Sequence, residues 1–260
     1  MSSIDVTRDG DIATVALNNP GKLNALTIAM WRELARAMRE LSEDDALRCV
    51  VLRGAGNDAF AAGADLEEFV TERATLAQAK IYHHEYVNGV LKAVGACRHP
   101  TVAMIKGPCV GGGLEIACNC DLRISGASGR FGVPINRLGF AIAYDELAGL
   151  LALAGRAVAA EILLEGRVWS AEEAFAKGLL TRVVADADVE REAYATARRI
   201  ADGAPLVARW HKEFIRRLTV AAPPLTAAEK DANFDYLKTG DYRAGIDAFI
   251  DKKKPGFKGR

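Results

Sequence analysis

Three successive glycines, Gly111-Gly112-Gly113, lie between the apolar run Thr101-Val102-Ala103-Met104-Ile105 and the helical pattern Leu114-Glu115-Ile116-Ala117-Cys118. This placement restricts the chain more than any other feature. Residues without a Cβ let a neighbouring backbone or a ligand come closer than other residues allow. A helix that starts there presents unsatisfied N–H groups and the positive end of its dipole, a combination that suits an oxyanion. Glu115 falls three residues after Gly112, on about the same helical face, so its carboxylate can stand beside whatever those amides hold. Taken alone, the stretch also admits a plain packing role for the glycines, with Glu115 in solvent.

The surrounding pattern is that of an α/β protein. Ile4 and Val6, a turn at Asp9-Gly10, and the alternation from Ile12 to Leu17 predict a β-hairpin. Thr27 is the expected N-cap of a helix carrying Met30, Leu34, Ala37, Met38 and Leu41 at helical spacing. Cys49-Val50-Val51-Leu52 reads as a strand buried on both faces, as does the run at 101–105. Residues 74–97 read as one long helix ended before Pro100, and short strands are expected at 122–124, 131–133 and 181–184. Beyond about residue 144, helices are predicted at 145–165, 170–177, 187–203, 205–219, 224–239 and 241–251. The chain accordingly divides into a core, 1–186, and a helical C-terminal region, 187–260, without repeats or a low-complexity linker.

Composition removes several functions. Thirty-four Lys and Arg balance 34 Asp and Glu, which leaves no net field to gather nucleic acid or an anionic membrane surface. The first ten residues lack the pattern of a secretory signal, and no window holds 18 uninterrupted apolar residues, so a cytoplasmic protein without a membrane partner is expected. Five cysteines, an odd number in a chain of 260 residues, are expected to be reduced; Cys118 and Cys120 lack a second ligand pair, so no metal site is expected. Gly54-Ala55-Gly56-Asn57-Asp58-Ala59 has the spacing of a dinucleotide fingerprint, but a loop follows it where a helix should open. No P-loop and no Gly-x-Ser-x-Gly elbow is present, and His83, His84, His99 and His211 join no recognisable catalytic arrangement.

Several segments together carry a resemblance. Phe60-Ala61-Ala62-Gly63-Ala64-Asp65-Leu66 resembles the first oxyanion loop of the enoyl-CoA hydratase/isomerase (crotonase) superfamily. Gly107-Pro108-Cys109-Val110-Gly111-Gly112-Gly113-Leu114-Glu115, with Asp121, resembles its second. Asn18 to Leu26 is similar to the family's early CoA-binding segment, Phe131-Gly132-Val133-Pro134 to its next motif, and Ala248 to Phe257 to its C-terminal signature. The likeness spans nearly the whole chain. It implies a crotonase-like spiral of ββα units with a helical C-terminal assembly region, and a homotrimer or dimer of trimers. The implied substrate is an acyl-CoA, with CoA a part of the substrate and no separate cofactor.

Residue by residue, the resemblance implies that the N–H groups of Ala64 and Gly112, with Gly111 beside it, hold a thioester oxygen. It places Ala25, Ala62 and Ala64 near adenine, Lys22 near the ribose phosphate, and Phe249 and Lys252 on CoA from the C-terminus. Asp65 and Leu66 complete the first loop, Asp65 with a structural role as the alternative. Glu115 matches the first of two catalytic glutamates. The second is missing: Ile135 follows Pro134, and an isoleucine transfers no proton. Asn136, Tyr144 and Asp145 read first as ordinary surface or capping residues, with replacement of the missing group as the alternative. Phe69, Val70, Tyr82, Tyr86 and Val90 either line an acyl pocket or pack helices. Hydration and double-bond isomerisation lead, as steps of fatty acid metabolism. Decarboxylation, dehalogenation, thioester hydrolysis and non-catalytic acyl-CoA binding stay open, and an RNA-binding role is disfavoured by the charge balance.

Overall fold

Alternating apolar residues at the N-terminus form the expected hairpin, Ser3–Asp9 (β1) antiparallel to Ile12–Asn18 (β2), with Val6 opposite Val15. From β2 onward the main sheet is parallel: Cys49–Gly54 (β3), Thr101–Ile105 (β4), Leu122–Gly126 (β6) and Arg182–Val184 (β9) follow in the order β1-β2-β3-β4-β6-β9. A smaller sheet, ordered β5-β7-β8, joins Pro108–Val110 (β5), Arg130–Gly132 (β7) and Trp169–Ser170 (β8). This computed structural model describes residues 2–73, 75–139, 141–219, 226, 228, 238–251, 253 and 255–260.

Both faces of the main sheet are covered, which is why its strands read as unbroken apolar runs. In β3, Val50 and Leu52 join a core with Leu34, Met38, Val94 and Ile116. Cys49 and Val51 face the other way, onto Val189, Ala193, Ala197 and Ala201 of the helix Val189–Ala201. The helix that opens the expected C-terminal region therefore packs on the sheet itself. Thr27 caps the helix Ile28–Glu43, its side chain accepting from the Met30 N–H at 3.3 Å.

Three departures from expectation have physical causes. The stretch 74–97 is not one regular helix: Leu76–Ile81 and Asn88–Ala96 are joined by a π-helical segment, Tyr82–Val87. β5 and β8 were not anticipated, because three- and two-residue strands carry too few residues for alternation to show. Tyr144–Glu165 is apolar and long enough by composition to cross a membrane, yet Gly155 adopts φ 77° and ψ 175° and splits it into two halves, each well short of the ~20 residues a span requires. The helix expected at 224–239 lies almost wholly outside the described residues; Pro205–Thr219 and Gly240–Ile250 form as expected.

Buried polar groups fix the ends of the elements that matter. Arg123 is buried and donates to the carbonyls of Ala117 and Cys120 at 3.2 and 2.5 Å, closing the C-terminal end of the helix Gly112–Asn119. The Asp121 carboxylate accepts from the Thr101 N–H at 2.7 Å and pairs with Lys212 at 2.7 Å. All five cysteines are buried free thiols.

His99 is wholly buried, and among the described residues neither ring nitrogen has a hydrogen-bond partner. Burial, then the positive charges of Arg209 and Arg98, push its pKa down to about 4. An unfolded chain binds a proton at this histidine below about pH 6.5, whereas the folded one does so only near 4, so stability falls as pH drops through that window. Between pH 7 and 5 the expected loss from His99 is about 2 kcal/mol. Urea titrations of the wild type and His99→Gln at both pH values test this, the variant losing less; equal losses would contradict the assignment.

Candidate active site

The site is built where three segments share backbone hydrogen bonds. Phe60 and Ala61 both donate to the Pro108 carbonyl at 3.0 Å, and Val110 donates back to Ala61 at 3.0 Å. Leu26 donates to Gly63 at 2.7 Å and Asp65 to Leu26 at 2.9 Å, while Ala62 donates to Leu23 at 3.0 Å. The loops at 60–66 and 107–113 and the segment 22–26 are thus tied side by side. Glycine is required at the crossing: a Cβ on Gly113 would stand 2.5 Å from the Ala61 carbonyl oxygen, and Gly63 holds φ +104°.

The segment 19–26 turns through left-handed Leu23 and Asn24. The buried Asn24 side chain holds that turn, accepting from the Asn19 N–H at 3.1 Å and donating to Ala59 at 2.9 Å and Ala55 at 3.1 Å. Asn19 donates to the Ala25 carbonyl at 2.6 Å. Lys22 pairs with Asp65 at 2.8 Å and Glu67 at 2.7 Å.

Between these loops and the helices at 82–96 and 144–165 lies a cavity of about 190 Å³. Its wall includes Ala62, Gly63, Ala64, Leu66, Val110, Gly111, Gly112 and Glu115, together with Trp31, Arg73, Tyr82, His83, Val87, Pro134, Ile135, Leu138 and Glu146. Gly112 is the first residue of its helix, so its N–H is one of those a helix cannot satisfy internally. Among the described residues, none of the backbone bonds that tie the first loop uses the Ala64 N–H. Two uncommitted amides and a carboxyl therefore border one small, mostly apolar space.

Glu115 is 7% exposed. Burial, and then the charge of Glu146, hold its carboxyl well above the usual carboxylate range. Glu146 is 5% exposed; one of its oxygens meets Nδ1 of His83, and the other accepts from the Ala143 N–H at 3.4 Å. Trp31 donates through Nε1 to the Tyr82 hydroxyl at 3.2 Å, and the Arg73 guanidinium lies 5.9 Å from the Tyr82 ring centre. Burial raises the Tyr82 phenol, so it stays protonated and polar without charge.

Of the residues expected from sequence, Ala62, Ala64, Leu66, Gly111, Gly112 and Glu115 meet at this cavity. Lys22, Ala25 and Asp65 stand on the adjoining segment and loop. Phe249 falls in the helix Gly240–Ile250, and Lys252 lies outside the described residues. Tyr82 lines the cavity, Tyr86 borders a separate surface depression, and Val90 is core.

Asn136, Tyr144 and Asp145 occupy the ordinary surface and local bonding positions expected of them: Tyr144 is 95% exposed, Asp145 accepts from Asn88 at 2.6 Å, and Asn136 donates to the Leu164 carbonyl at 3.0 Å. Glu146, one residue further on, is the one that enters the cavity. His83 contacts Glu146, 63 residues away in sequence, a pairing that no motif spacing displays. Among the described residues, no group of three His, Cys, Asp or Glu could hold a metal ion.

Comparison with known proteins gives a consistent result. Residues 7–260 match the family model described as enoyl-CoA hydratase/isomerase. The chain is 30% identical to a short-chain-enoyl-CoA hydratase of Clostridium acetobutylicum, over all of this chain and 99% of that one. Among solved structures, an enoyl-CoA hydratase/carnitine racemase from Magnetospirillum magneticum is 51% identical with a TM-score of 0.97, covering 100% of this chain and 97% of the other. An enoyl-CoA hydratase from Bacillus anthracis is 30% identical with a TM-score of 0.89, covering 100% and 99%. The crotonase fold expected from sequence is the fold observed, and the chain belongs to the enoyl-CoA hydratase/isomerase family.

Proposed function

We propose that the cavity binds the thioester end of an enoyl-CoA and stabilises an enolate-like transition state. The N–H groups of Ala64 and Gly112 receive the developing charge on the thioester oxygen, and Glu115 carries the proton exchanged with carbon 2. The observation that carries this reading is the joint lining of one apolar cavity by the first-turn amide of Gly112, by Ala64 and by Glu115. Pre-aimed amides lower the barrier where charge develops, and losing one such donor typically costs about 3–4 kcal/mol. Burial and the neighbouring Glu146 charge favour a neutral Glu115, which makes it a proton donor toward an incoming enoyl thioester.

Contacts to CoA from Lys22, Ala25, Ala62, Phe249 and Lys252 belong to the same proposal, as do assembly into trimers through the C-terminal helices and a cytoplasmic location. Lys22 already has Asp65 and Glu67 around its ammonium, so its position is defined before ligand arrives. A pre-positioned charge binds with less loss of side-chain freedom than a mobile one.

Titration calorimetry with crotonyl-CoA and with free CoA is expected to give saturable binding of both; no binding of either at millimolar concentration would remove the assignment. Glu115→Gln keeps the shape and removes proton transfer. Its turnover of the enoyl-CoA is expected to fall by about 10²- to 10⁴-fold with affinity little changed. Unchanged turnover, measured by product NMR, would contradict the role given to Glu115.

A further inference from the structure

Glu146 and His83 are cavity groups that the proposed chemistry does not yet use. We propose that Glu146, oriented by His83, is the second proton-transfer group of this site and activates the water that adds to a 2-enoyl thioester. This inference rests on the reading of the cavity as an acyl-thioester site.

The placement is specific. Ile135, at the position where a second carboxylate is expected, lines the cavity with no proton to offer. Glu146 reaches the same cavity from the first turn of the helix Tyr144–Glu165, with its side chain only 6% exposed. His83 reaches it from the π-helical segment Tyr82–Val87, with its side chain 15% exposed. Such helical irregularities are found frequently at functional sites. A buried carboxylate–imidazole pair is also poor value for stability, because desolvating both groups offsets much of their attraction. An apolar pair would satisfy packing alone.

The groups around Glu146 fit an acid and a base held apart. His83 contacts it directly, while Glu115, Tyr82 and Arg73 share the cavity wall. Asp145, its chain neighbour, is turned to Asn88, and His84 lies 4.0 Å from Asp145 outside the cavity lining. Glu115 and Glu146 share one apolar space, and it is Glu115 whose carboxyl burial and the neighbouring carboxylate hold well above the usual range. Glu115 keeps the proton, for the reasons of burial and repulsion given above.

The step then balances without a further reactant. Glu146 takes a proton from water as the water oxygen bonds to carbon 3, and the π pair of the carbon 2–carbon 3 double bond moves toward the thioester oxygen. Glu115 gives its proton to carbon 2 as the enolate collapses. The proton on Glu146 returns to Glu115 through exchange with solvent, and the net change is addition of one water. His83 is a positioning residue here, holding one Glu146 oxygen so that the carboxylate keeps its orientation.

Steady-state hydration of crotonyl-CoA by the full chain tests this, with Glu146→Gln, His83→Asn and Glu115→Gln compared across pH and calorimetry run in parallel. Glu146→Gln is expected to lower kcat by about 10²- to 10⁴-fold with KM within about threefold of wild type. His83→Asn leaves the carboxylate in place but less firmly oriented, so partial activity should survive, with the loss falling on kcat and KM unchanged. Hydration by Glu146→Gln within about threefold of wild type, with kcat of His83→Asn unchanged, would overturn the inference alone. Wild-type protein that binds crotonyl-CoA but does not hydrate it would overturn it too. Absence of thioester binding by the wild type would overturn the reading of the cavity as well.

Discussion

The close crossing of two loops, at 60–66 and 107–113, is the constraint on which the rest of the molecule depends. Hydrogen bonds between Ala61, Pro108 and Val110 hold the backbones together, and the crossing tolerates no side chain at Gly113, where a Cβ would meet the Ala61 oxygen at 2.5 Å. The loops can meet there because they leave the ends of neighbouring parallel strands β3 and β4, both buried on two faces. Covering those two faces accounts for the helices at 28–43 and 88–96 on one side and 189–201 on the other. Arg123 and Asp121 then secure the far end of the helix that begins at Gly112. The precision of the site is thus inherited from the sheet.

What the cavity does follows from how little water it shares with its charges. Glu115 is buried among apolar groups with a second carboxylate nearby, and each of these influences favours the neutral acid. The same environment strengthens any interaction between an uncommitted amide and a developing oxyanion. Trp31 and Tyr82 close the wall, the indole N–H donating to the Tyr82 hydroxyl, so they shape the space without adding charge.

Much of this was legible in the sequence because it depends on local chemistry. The Thr27 cap, the apolar runs of β3 and β4, the glycines at 111–113 and Glu115 on the same face are all signals of short range. Glu146 and His83 were not legible, because their meeting depends on how two helices pack. In sequence Glu146 resembles any acidic residue in a first helical turn, and His83 sits beside His84 in a stretch expected to be regular helix. Asn24 was likewise hidden: its importance lies in a left-handed turn and in bonds to Ala55 and Ala59, which only the folded loop brings near. The π-helical segment leaves no periodicity of its own over six residues.

The central claim is that Glu115 carries the proton that joins carbon 2 of a CoA thioester. By microscopic reversibility its less populated ionised form removes that proton and makes carbon 2 exchangeable. Proton NMR of butyryl-CoA in D₂O measures that step by itself, since a saturated thioester can neither add water nor shift a double bond. Loss of the carbon 2 proton signal with wild-type protein, and its retention with Glu115→Gln, is the predicted result. A signal that persists with wild-type protein, or that is lost equally with Glu115→Gln, would contradict it.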